Sequence, residues 1–104
     1  MTTLAVPFQT LEELRDFIYR WLCRREQLVE GVYQMTQRIL WRRNRPCGVY
    51  FCLHGPRAVK FAVVWDLQRQ VLLFYDPTGQ RYQTTRLLHP PQFHAAAESL
   101  APAA

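Results

Sequence analysis

The hydrophobic period changes once along this chain, and that change constrains the fold more than any other feature. Between residues 11 and 28, apolar residues recur at spacings of three and four. This spacing predicts an amphipathic helix with one apolar stripe. After Gly31, apolar and polar residues alternate with a period of two, which is typical of strands. The apolar stripe of the predicted helix consists of Leu11, Leu14, Phe17, Ile18, Trp21 and Leu22.

Both ends of the predicted helix carry recognisable signals. Residues 10–13 (Thr-Leu-Glu-Glu) fit a capping box. In that motif the Thr10 hydroxyl accepts a hydrogen bond from the Glu13 amide, and the Glu13 carboxylate reaches back to the Thr10 amide. Gly31 is the expected stop, because glycine readily adopts the left-handed conformation that ends helices.

Five extended segments follow Gly31, separated by short loops. The first also fits a short helix through Val32, Met35 and Ile39, so four to five strands are expected. Residues 76–79 (Asp-Pro-Thr-Gly) have the composition of a type I turn. Short connections favour antiparallel pairing of consecutive strands. The five segments are residues 32–41, 48–54, 58–65, 71–75 and 80–87.

These patterns predict an α+β domain over residues 10–88, in which one N-terminal helix packs on a four- to five-stranded antiparallel meander. Residues 1–9 form a lead-in that could add a short edge strand before Pro7. With that strand, the element order would be that of a cystatin-like layout. Residues 89–104 are rich in Pro and Ala, and we expect a flexible tail there.

Two stretches support a family resemblance. Residues 45–57 (RPCGVYFCLHGPR) and 74–81 (FYDPTGQR) resemble a family of small bacterial α+β proteins of unknown function. The resemblance would cover most of residues 10–87. It implies a bacterial, cytoplasmic origin and carries no activity.

The chain is strongly basic. The formal net charge is +5, and twelve of the thirteen basic residues are Arg. Arginine pairs well with phosphate and carboxylate, so one interpretation is an anionic partner. The other, which we favour, is a coding preference for Arg over Lys.

Cysteine usage and hydropathy predict a cytoplasmic protein. Cys23, Cys47 and Cys52 have no paired spacing, which argues against a disulfide framework. The first residues do not resemble a signal peptide. No stretch approaches the ~20 apolar residues that a membrane-spanning helix needs.

Catalytic and metal-binding patterns are weak. Cys52 and His54 would share a strand face, but no orienting acid is evident, and Cys52 lies in an apolar run where a structural thiol is expected. Adding Cys47, His89 and His94 produces no metal-ligand spacing. We therefore predict a non-enzymatic protein that needs no cofactor or metal.

The remaining interpretation is a small basic binding or adaptor module. The leading version is protein–protein contact or self-association, including a homodimer, made by surplus aromatic surface and an open sheet edge. The uncovered face of the sheet is one surface for such a dimer, and the other is the strand at residues 80–87, whose polarity predicts a sheet edge. Its expected interface residues are Tyr82, Thr84 and Arg86.

Two alternatives stay open. Weak binding of RNA or single-stranded DNA is expected if arginines and an aromatic ring act together near the first hairpin. The residues for this are Arg38, Trp41, Arg42, Arg43 and Arg45. A small-ligand or enzyme pocket between sheet and helix is the other, lined by Tyr50, His54 and Trp65.

Overall fold

The computed structural model describes residues 1–93, which form one α-helix and six strands. The predicted α+β class is confirmed. The last part of the expected tail, residues 94–104, lies outside the described residues. The elements are β1 (Thr2–Leu4), α1 (Leu11–Glu26), β2 (Met35–Arg42), β3 (Arg45–His54), a 3₁₀ turn (Pro56–Ala58), β4 (Lys60–Asp66), β5 (Val71–Tyr75) and β6 (Arg81–Leu87).

The sheet is mixed, with strand order β1-β6-β5-β4-β3-β2. Strands β2 to β6 form the expected antiparallel meander, but β1 pairs in parallel with β6. The lead-in does add the short edge strand that was allowed for, which brings the total to six, and the expectation of antiparallel pairing fails only at this strand. Because β1 lies beside the last strand and not beside β2, the cystatin-like layout is not the observed one. A short alternating segment indicates a strand but carries no information on its partner.

The start of α1 follows the capping prediction with one difference. The Thr10 hydroxyl accepts from the Glu13 amide at 3.1 Å, as expected. The Glu13 carboxylate instead accepts from the Gln9 amide, at 2.7 Å. The bond to Thr10 satisfies an amide that the first helical turn leaves unpaired, whereas the bond from Gln9 holds the residue before the cap.

The helix ends earlier than predicted. Its last residue is Glu26, and Gln27 takes the left-handed conformation (φ 57°) that was expected of Gly31. The Leu28 amide donates to the Cys23 carbonyl at 2.8 Å, which is the closing bond of a Schellman motif.

The cap gives a first testable expectation. Thr10→Ala removes the acceptor of the Glu13 amide and should lower the free energy of unfolding by about 1 kcal/mol. Thr10→Ser keeps the acceptor and should stay close to wild type. Urea denaturation of the three proteins measures the difference, and an unchanged midpoint for Thr10→Ala would contradict the assigned cap.

Helix α1 covers one face of the sheet. Leu14, Ile18 and Leu22 are completely buried, and the Trp21 ring lies 4.6 Å from the Phe74 ring. The helical stripe predicted from the spacing is thus the buried one. The fully buried partners on the sheet are Val49, Phe51, Leu53, Val63, Trp65, Leu72 and Phe74.

The turn at residues 76–79 also matches its prediction. The Gly79 amide donates to the Asp76 carbonyl at 2.9 Å. The Asp76 carboxylate accepts from the hydroxyl of Thr78 and from the amides of Thr78 and Gln80. These hydrogen bonds, with that from the Thr78 hydroxyl foremost, hold the pKa of Asp76 below its ordinary value.

Residues 89–93, which were assigned to the tail, contact the domain. The Phe8 amide donates to the His89 carbonyl at 3.0 Å. Pro91 is buried, and the Phe93 ring stands edge-on to Trp65 at 6.1 Å. The chain therefore stays attached beyond residue 88.

Candidate binding surface on the open face of the sheet

The sheet has a second face, which alternates with the core residues. One row of paired positions across it runs Arg38, Tyr50, Val64, Leu73 and Thr84. Within residues 1–93, α1 is the sole α-helix and packs on the opposite side. We call this second face the open face. Its residues are Thr36, Arg38, Leu40, Tyr50, Cys52, His54, Lys60, Ala62, Val64, Asp66, Val71, Leu73, Tyr75, Thr84 and Arg86.

The centre of the open face is apolar. Tyr50, Val64 and Leu73 lie side by side on β3, β4 and β5, and all three are half-buried. Cys52 and Val71 are buried, at 3% and 6% exposure, although α1 packs on the opposite side of the sheet.

A basic rim frames this centre. Arg38, Lys60 and Arg86 are exposed and lie on β2, β4 and β6. The Arg38 guanidinium stands 5.2 Å from the centre of the Tyr50 ring, within the range of a cation–π contact. The single acid on this face is Asp66, whose carboxylate accepts from the amides of Gln68 and Arg69 at 3.0 Å.

Charge is segregated along the described chain. Residues 1–30 contain four basic and five acidic residues, whereas residues 31–93 contain nine basic and two acidic ones. The ion pairs of the described residues, Arg20–Glu30 and Arg25–Glu26, both lie within residues 1–30. Strands β2 to β6 and their turns therefore carry nearly all of the uncompensated positive charge.

The five residues predicted to bind nucleic acid divide into groups. Arg42, Arg43 and Arg45 lie together at the β2–β3 turn. Arg38 lies on the open face beside Tyr50. Trp41 is half-buried, and its Nε1 is buried without a hydrogen-bond partner among the described residues, so its N–H is not offered to solvent.

The expected interface at β6 is rearranged by the fold. β1 pairs with Thr85–Leu87, so the prediction that this strand forms a sheet edge is wrong. Thr84 and Arg86 lie on the open face, but Tyr82 lies on the helix side after a register shift between Phe74 and Tyr75.

Tyr82 has a structural role in the helix–sheet contact. The Arg25 guanidinium stands 4.1 Å from the centre of its ring, and the Phe74 ring lies 6.2 Å away. Burial raises the pKa of the Tyr82 phenol. Of the three predicted interface residues, only Thr84 and Arg86 remain as members of one surface.

The Cys52–His54 pair is not assembled for nucleophilic chemistry. The Cys52 thiol is buried and lies beside the Tyr50 hydroxyl, whose pKa is raised chiefly by burial. The His54 Nε2 lies 3.0 Å from the Thr36 hydroxyl, at hydrogen-bond distance. No hydrogen bond joins Cys52 to His54 in the described part of the chain.

The pocket predicted from Tyr50, His54 and Trp65 cannot form. Trp65 is completely buried on the helix side, where its Nε1 donates to Gln70 at 2.8 Å. Tyr50 and His54 lie on the opposite face, because alternate residues of neighbouring strands point to opposite sides. A cleft of about 290 Å³ does lie between α1 and the β1–β6–β5 side of the sheet. Its lining includes Phe17, Trp21, Phe74, Gln83 and Thr85.

Residues 1–93 contain neither a metal-ligand cluster nor a membrane-spanning helix. No cluster of three or more His, Cys, Asp or Glu side chains lies close enough to hold a metal ion. Helix α1 is neither long nor apolar enough to cross a lipid bilayer, and this part of the chain holds no other α-helix.

Comparison with known proteins returned no match: no family model, no curated protein and no solved structure corresponds to this chain. The resemblance to small bacterial proteins therefore stays a prediction. The open face is defined by its own geometry alone.

Proposed function

We propose that this protein is a non-enzymatic binding module that docks an acidic protein partner on the open face of its sheet. One observation carries the proposal. The face that α1 leaves uncovered has an apolar centre, Tyr50, Val64 and Leu73, framed by Arg38, Lys60 and Arg86. This arrangement corresponds to the apolar core and polar rim of protein interfaces, where Tyr and Arg are enriched.

The charge of the rim selects the kind of partner. Surfaces that associate specifically carry complementary potentials, and like charges brought together cost several kcal/mol. A second copy of this chain would bring Arg38, Lys60 and Arg86 close to the same basic residues. An acidic partner is therefore favoured over a homodimer. Light scattering across a concentration series tests this preference, and a stable dimer through the open face would contradict it.

Free thiols support a reducing compartment for this activity. Cys23 and Cys52 are buried, Cys47 is half-buried, and none of the three is paired. Disulfides are rare where glutathione keeps thiols reduced. The cytoplasm is the compartment that we propose.

The docking surface can be tested by capture from a native lysate with matched variants. Tyr50→Ala with Leu73→Ala removes two side chains from the centre of the open face. Val29→Ala with Val32→Ala removes apolar side chains that are 67% and 65% exposed elsewhere. We expect the first pair to abolish capture of an acidic protein and the second pair to leave it unchanged.

Nuclease treatment of the lysate distinguishes a protein partner from a nucleic-acid partner. A protein that persists after nuclease, dissociates as salt is raised and depends on Tyr50 and Leu73 would support the proposal. Equal capture by wild type and the open-face variant would overturn it. Capture that nuclease abolishes would instead support the alternative described next.

Single-stranded nucleic acid is the second candidate ligand. Arg38 over the Tyr50 ring is a specific observation in its favour, because guanidinium groups and aromatic rings together hold phosphates and bases. Its signature would be an affinity that falls steeply with salt. Arg38→Ala with Tyr50→Ala removes this contact and should then weaken binding of an oligonucleotide, and an unchanged affinity would exclude this role.

A further inference from the structure

Three arginines that form no ion pair within residues 1–93 line a cleft between two hairpin turns. Arg42, Arg43 and Arg45 come from the β2–β3 turn, and Leu67 and Gln68 come from the β4–β5 turn. The cleft has a volume of about 600 Å³. We call it the turn cleft.

None of the three guanidinium groups is neutralised within the described residues. The side chains of Arg42, Arg43 and Arg45 make no ion pair or hydrogen bond there. Asp66, the acid at the neighbouring turn, is already engaged by the amides of Gln68 and Arg69. The cleft thus concentrates three positive charges in one concave site.

The sequence of the β2–β3 turn conflicts with the residue preferences of its backbone conformation. Arg43 and Asn44 both have positive φ, 51° and 63°, which is the conformation of a type I′ hairpin turn. Asn, Asp or Gly is preferred at the first of these positions, and Arg is strained there. Arg42 and Arg45 are also directly paired across the strands, and like charges in that position destabilise a hairpin. Such conflicts between sequence and local structure concentrate at functional sites.

We infer that the turn cleft binds a phosphate monoester or an equivalent doubly charged oxyanion. Guanidinium forks match phosphate oxygens in geometry and charge. The Gln68 side-chain amide is a further donor in the lining. The lining contains no aromatic ring, so nothing in the cleft stacks a base, and a terminal phosphate group fits it better than a nucleic acid strand. This site is separate from the open face and does not depend on the proposed function.

A substitution at Arg43 is expected to change phosphate affinity and folding stability in opposite directions. Arg43→Asn places a residue that tolerates positive φ at the turn, so the protein should become more stable in the absence of anions. The same variant loses one charged donor and should bind inorganic phosphate about tenfold more weakly. Arg57 is a matched control, because it is also an arginine at positive φ (56°) and does not line the cleft. Arg57→Asn should leave phosphate affinity unchanged.

Calorimetric titrations at constant ionic strength, with chloride as the background anion, measure these affinities. The probes are inorganic phosphate, phenyl phosphate and an oligothymidylate without a terminal phosphate. Binding of the first two, weakened by Arg43→Asn and not by Arg57→Asn, supports the inference. Absence of phosphate and phenyl phosphate binding overturns it, and so does binding of the oligothymidylate alone. Equal weakening by both variants also overturns it, because a general charge effect would then explain the binding.

Discussion

Leu72→Ala should lower the free energy of unfolding by about 3–5 kcal/mol, whereas Leu73→Ala, one residue along, should cost less than about 1.5 kcal/mol. Leu72 is completely buried under α1, and its truncation leaves a cavity in the core. Leu73 is half-buried on the open face, where water replaces the removed atoms. A domain of this size has a total stability of about 5–15 kcal/mol, so the first variant approaches the unfolding limit.

Chemical denaturation of the two variants measures this difference, and near-ultraviolet circular dichroism reports whether each stays folded. The pair is well matched, because the residue type, the strand and the substitution are identical. Equal losses at the two positions would mean that a second layer covers Leu73. The open face would then be part of the core, and the proposed docking surface would not exist.

The sequence alone does not predict which of these two leucines is buried. Residues 71–75 are all apolar or aromatic, so the segment predicts a strand but has no polar alternation to say which face is buried. Only its register with β4, which places Leu72 beside Trp65 and Leu73 beside Val64, decides the question. In α1, charged residues occupy the positions between the apolar ones, so the side of the helix that is buried could be predicted directly from the sequence.

Part of the candidate site could likewise be predicted from the sequence, and part could not. The arginines at the β2–β3 turn are neighbours in sequence, so their cluster was predictable. Lys60, Arg86 and Arg38 are distant in sequence, and only the order of strands β2 to β6 places them on one face of the sheet. The alternation of Lys60 and Val64 with the core residues of β4 was nevertheless a usable signal of a second, mixed face. The uncovered face was one of the two surfaces expected for a homodimer, but its basic rim could not be assembled without the strand order.

Reversing two charges of the basic rim should weaken acidic ligands strongly. Arg38 and Arg86 lie on β2 and β6, on either side of the apolar centre. Arg38→Glu with Arg86→Glu replaces two attractive contacts by repulsive ones. At about 1 kcal/mol for each position, the dissociation constant should rise about 30-fold. A random copolymer of glutamate and tyrosine is a suitable probe, because it offers both the charge and the rings that the open face would bind.

The control reverses two charges on the other side of the molecule. Arg20→Glu with Arg24→Glu changes the net charge equally, and both residues are exposed on α1. The Arg20–Glu30 pair that is lost is 3.9 Å long and exposed, so its removal should cost little stability. Fluorescence titration with the copolymer compares the two variants with wild type. If affinity depends on the rim, only the first variant binds weakly, whereas equal weakening would show that the copolymer responds to net charge and that the open face has no special role.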